Sequence, residues 1–125
     1  MKLTVLGQLP GLNEYILAER GNRYAAAKMK TDAEKTICWA IKEQLKGITF
    51  LNPVNISYLW IEPNRRRDKD NIAFARKFIQ DALVEMKVLK GDGWKHIEGF
   101  SDRFEVGTPR VEIEIKEIAT VGVIA

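Results

Sequence analysis

Residues Pro63 to Asn71 read PNRRRDKDN: Arg65, Arg66 and Arg67 run directly into Asp68 and Asp70, with Asn71 behind them. Carboxylates two apart in an extended segment point to one side, roughly 7 Å from each other. Asp70 and Asn71 also sit where a helix would begin. Two converging anions repel unless a cation lies between them. The arginines offer one such cation and a divalent metal the other. Mg2+ takes oxygen ligands, commonly a few carboxylates completed by water and substrate phosphate. Zinc wants a His/Cys set, and this chain has one histidine, His96, and one cysteine, Cys38. A third carboxylate is offered by KGDGW, where Asp92 stands between Gly91 and Gly93 and the backbone can turn sharply. The same residues also read as a salt-bridged, solvated turn.

The elements that must position these groups follow from pattern. KLTVL, Lys2 to Leu6, reads as a strand, and Gly7, Pro10, Gly11 and Asn13 break it into a loop. From Asn22 to Lys46, Ala26, Met29, Ala33, Ile37, Ile41 and Leu45 recur at helical spacing, with Gly47 closing the helix. PVNISYLWI, Pro53 to Ile61, alternates as a strand. The acidic pair follows as a loop. A second helix is expected over Asn71 to Met86, burying Ile72, Ala75, Ile79, Ala82, Leu83 and Met86. On its other side Asp70, Phe74, Lys77 and Asp81 share a stripe at 100° per residue. Lys77 and Asp81 read equally as a surface ion pair or as groups aligned with a phosphate. His96 to Val106 and Arg110 to Ile118 supply two further strands, and Ala119 to Ala125 is expected to fray. The order β-α-β-α-β-β implies an α+β domain, a mixed sheet with two main helices on one face.

The totals agree with one soluble domain of 125 residues. The net charge of +3 permits a polyanionic partner without demanding one. Arg23, Lys28 and Lys30 could extend a basic track from the arginine triplet. A lone cysteine excludes an intrachain disulfide and fits a reducing compartment, and Cys38 reads as a small core residue. No apolar run approaches membrane-spanning length, so a cytoplasmic protein is expected. Trp39 and Trp60 read as packing. Trp94 and Phe74 are candidates to stack on bases, against the commoner role of packing. His96 reads as a surface or strand residue.

RRRDKDN, then a helix carrying Lys77, Asp81, Ala82 and Leu83 as KxxxDAL, then a GD loop, resembles the RusA-type Holliday-junction resolvases of bacteria and their prophages. LPGLNEY, with Asn13, looks like that family's early proline-and-asparagine loop, and the likeness spans about residues 2 to 118. The resemblance implies a homodimeric, Mg2+-dependent endonuclease, with Mn2+ able to substitute, that nicks four-way DNA junctions symmetrically and uses no organic cofactor. It assigns Asp68, Asp70 and Asp92 to the metal and Lys77 to the scissile phosphate. Asn71 would support the site, and Asn13, Arg23, Lys28, Lys30, Arg65, Arg66 and Arg67 would join the DNA surface. Two departures are visible. Lys77 lies about one helical turn farther from the acidic pair than the family pattern has it. Gly91 stands where the family carries a further acid, which Asp81 could partly replace. A non-catalytic nucleic-acid-binding module, a metal-dependent phosphoesterase acting on flaps or small molecules, and a purely structural domain remain the competing readings.

Overall fold

Alternating apolar residues in the strands collect on one face of a sheet. Leu3 lies opposite Ile113, which also faces Tyr58, while Ile56 faces Ile115 and Trp60 faces Val111. The computed structural model describes residues 1–118, so the tail expected to fray lies outside the described residues. The elements are β1 (Lys2–Leu6), α1 (Leu12–Gly21), α2 (Arg23–Gln44), β2 (Val54–Glu62), α3 (Lys69–Ala73), α4 (Arg76–Glu85), β3 (Ile97–Val106) and β4 (Arg110–Glu117). The four-stranded sheet runs β1-β4-β2-β3, with β2 and β3 parallel and the other two pairings antiparallel. It is the mixed sheet of an α+β domain. Helix residues Ile37 and Ile41 from α2, Ile72 from α3, and Phe78, Ile79 and Leu83 from α4 complete the core cluster over the apolar face. The opposite face presents Lys2, Ser57, Arg103 and Glu114. Among the described residues no helix is long and apolar enough to cross a membrane.

Three details differ from the sequence reading. The loop expected around Asn13 is α1, and Asn13 lies in its first turn. Its LNEYILAER sequence is rich in good helix formers, and Leu12, Tyr15 and Ile16 share one partly buried face, but Pro10, Gly11 and Asn13 at its start read as loop formers. Asn22 ends α1 and starts α2: its N–H donates to the Ala18 carbonyl, and its side chain accepts from the Tyr24 N–H at 2.7 Å. The second long helix is broken into α3 and α4. The amides of Ala75, Lys77 and Phe78 donate three residues back, to Ile72, Phe74 and Ala75, a local tightening that shifts the helical phase. Phe74 therefore leaves the solvent stripe and packs on Tyr15 of α1, ring centroids 5.4 Å apart.

Trp39, expected to pack, is exposed on α2, with the Lys42 ammonium 5.6 Å from its ring centre. Trp60 is buried as expected, and its indole N–H donates to Asp102 at 2.7 Å. Cys38 is partly buried against the core, and desolvation raises its thiol pKa.

Candidate functional site

Glu62, the last residue of β2, fixes one side of the site. It is buried, and its carboxylate accepts from both Nε and Nη2 of Arg67 at 2.9 Å and from Gln8 Nε2 at 2.9 Å. Arg67 also donates to the Leu9 carbonyl at 3.1 Å and to Glu14 at 3.2 Å. Burial alone would lower the Arg67 pKa, but the bond to Glu62 and the charges of Glu62 and Glu14 raise it instead. Arg67 is thus a structural clamp between β2 and α1, and the phosphate grip read from the arginine triplet loses this member. Arg65 and Arg66 stay exposed. β2 runs one residue beyond the Ile61 end that alternation predicts, and Glu62, a lone acid closing an apolar strand three residues before an arginine run, joins the site without having been among its predicted residues.

The clamp leaves the aspartates to themselves. Asp68 takes the N-cap position of α3, yet its carboxylate makes no capping bond, and Asp70 receives the adjacent Asn71 amide at 2.9 Å. None of the ion pairs among the described residues involves Asp68 or Asp70. Both are exposed and line an open cavity of about 650 Å³ together with Arg65, Lys69, Phe104 and Glu105. Arg67 is engaged by Glu62 and Glu14, while Arg65 and Lys69 line the same cavity as the pair; two carboxylates are oxygen donors of the kind Mg2+ takes.

Asn71 holds the floor. It is buried, and its Oδ1 accepts from the Asn13 N–H at 2.9 Å, tying α1 to the residue after Asp70. This side chain supports the acidic pair and is not presented to a ligand. Gly11 makes the approach possible: a Cβ there would stand 2.5 Å from Asn71 Oδ1 and 2.9 Å from Arg67 Nη1.

Asp92 is placed apart from the pair. It precedes β3, where Gly93 accepts from the His96 and Ile97 amides at 3.0 Å each. Asp68 and Asp70 follow β2, beside the end of β3 at Phe104 to Val106. β2 and β3 are parallel, with Val54 opposite Ile97 and Glu62 opposite Val106, so the chain returns through α3 and α4 before it reaches the Asp92 loop, whose charge acts on Lys77 of α4. Among the described residues no group of three His, Cys, Asp or Glu side chains is placed to hold a metal ion. The three expected ligands therefore do not meet within one chain. Gly91 packs beneath His96, where a Cβ would come 2.7 Å from the imidazole Cδ2, so the further acid of the family pattern would require the His96 ring to move.

Lys77 is exposed and donates to Asp81 at 3.0 Å; that hydrogen bond leads the causes that raise its pKa, with a smaller contribution from the charge of Asp92. Asp81 also meets Lys30 at 3.8 Å. The stripe is thus an ion-pair cluster between α2 and α4. Lys28 pairs with Asp32 at 2.8 Å, and Arg23 lies over Tyr24. Trp94 is 98% exposed in the loop beside Asp92. Comparison with protein-family models and with curated proteins returns no match to this chain.

Proposed function

We propose that this chain is a Mg2+-dependent, structure-selective endodeoxyribonuclease that works as a homodimer and nicks four-way DNA junctions on opposed strands, in the cytoplasm of a bacterium or from a prophage. The observation that carries the reading is the exposed, unneutralised pair Asp68 and Asp70 in an open cavity beside Arg65 and Lys69. Two carboxylates of this kind fit a Mg2+ shell that water and a phosphate complete. When bound, Mg2+ supplies Lewis-acid chemistry, acidifying water and offsetting the charge that builds on a phosphodiester during hydrolysis. Arg65, Arg66 and Lys69 hold the flanking phosphates. Asn71 fixes the peptide of Asp70. Asp92, set apart within its own chain, completes the ligand set of a second copy. Two sites related by a two-fold then place two matching cuts.

The test is cleavage of a synthetic four-way junction and a matched linear duplex, with and without Mg2+. Wild type should cut the junction only with metal, leaving ends a ligase can seal. Asp70→Asn should bind the junction at least as tightly, having lost an anion, and should not cut. Normal cutting by Asp70→Asn overturns the assignment. Mixing Asp70→Asn with Asp92→Asn should restore nicking of one strand, because one of the two shared sites then holds intact ligands. No rescue places Asp92 outside the shared site.

A further inference from the structure

The two rims of the sheet are treated differently. At β1, Gln44 of α2 accepts from the Thr4 N–H and donates to the Thr4 carbonyl, both at 2.8 Å, so a side-chain amide stands where another strand would pair. At the other rim β3 runs for 10 residues and, among the described residues, pairs only with β2. A long unblocked edge is a template for another strand.

The helix-covered face of β3 is also incompletely covered. Phe100, Asp102 and Phe104 lie opposite Ile56, Tyr58 and Trp60 and share their face. Phe100 is 49% and Val106 54% exposed. Two cations lie over these rings: Arg76 sits 4.4 Å from the centre of Phe100 and Lys69 5.6 Å from the centre of Phe104. Arg76 also pairs with Asp102.

We propose that β3 is the dimer surface, pairing antiparallel with β3 of a second copy about a two-fold at Asp102. This rests on the homodimer reading above and names its interface. A two-fold perpendicular to the sheet keeps both helical layers on one side, so residues of one face must meet. Centred on Asp102, each Phe100 meets the partner's Phe104, giving two aromatic cross-strand pairs. The two Asp102 carboxylates meet with an Arg76 each already in place. On the other face Ser101 meets the partner's Arg103. Antiparallel pairing also sets the start of one β3 beside the end of the other, bringing the partner's Asp92 loop toward the cavity of Asp68 and Asp70. The occupant is a second copy because in this register the half-exposed Phe100 of each strand meets the other's Phe104 and each Asp102 arrives with its own Arg76 as counter-charge.

Mass is measured on the full chain by light scattering across a concentration series. Wild type should be a dimer; Phe100→Glu and Val106→Glu should be monomers with unchanged circular dichroism. In a Cys38→Ser background, Ser101→Cys with Arg103→Cys should oxidise to a covalent dimer. This cross-link tests the pairing even where a glutamate variant fails to fold. A monomeric wild type, or a dimer that survives both glutamates and resists the cross-link, overturns the proposal. Junction cleavage is scored separately. Cutting by a dimer that ignores these changes rejects the surface and keeps the nuclease; a cross-linked dimer that never cuts does the reverse.

Discussion

Arg67 and Arg65 look alike in the sequence, and the structure gives them opposite consequences. Arg67→Ala strands the buried Glu62 carboxylate without its guanidinium. Breaking a buried pair from one side costs about 3 kcal/mol, so the urea midpoint should fall clearly. Arg65→Ala removes an exposed side chain and should move stability by less than about 0.5 kcal/mol. Tyr58 supplies a pH dependence. Burial raises its phenol pKa, while the hydrogen bond from Gln80 acts against that shift. The folded value lies above the unfolded one of about 10, so this contribution is complete below about pH 10 and declines as pH rises further, because the unfolded chain releases the proton first. Urea melts between about pH 9 and 12 should show the decline, and Tyr58→Phe should remove that share of it.

Helix α1 rests on a close approach. Gly11→Ala keeps an ordinary extended φ of −93° but drives its methyl into Asn71. Overpacking of this kind costs about 1–3 kcal/mol. The Asn13 bond should break, amide exchange in α1 should quicken, and junction cutting should drop as the Asp70 peptide shifts. The same element marks where sequence reading stopped. The strands were legible because half-buried strands alternate, as Val54, Ile56, Tyr58 and Trp60 do. Helix α2 was legible from its apolar stripe and from Gly47 at its close. Helix α1 was not, because Pro10, Gly11 and Asn13 announce a loop over its start, and the break at Phe74 was not, because no proline or glycine announces it.

For the whole molecule, the acidic pair was visible as a motif, but the company it keeps was not. Whether Asp92 joins it depends on how α3 and α4 carry the chain from β2 back to the start of β3, and that path leaves no trace in local pattern. The fate of Arg67 likewise depended on Glu62 and Glu14, partners brought by the fold. The charge pattern makes its own prediction. Arg65 and Arg66 are the exposed remainder of the triplet, and each phosphate contact contributes about 0.9 to the slope of log K against log salt. Arg65→Ala with Arg66→Ala should flatten that slope by about 2 and weaken binding to any DNA sequence.

Gln44, by capping Thr4, has a consequence for how the particle ends. A molecule sticky along both borders adds neighbours without limit and drifts toward fibres. With Thr4 capped on one border, the β3 pairing proposed above would exhaust each subunit's capacity to recruit, so growth would halt at two and the pair would stay dispersed.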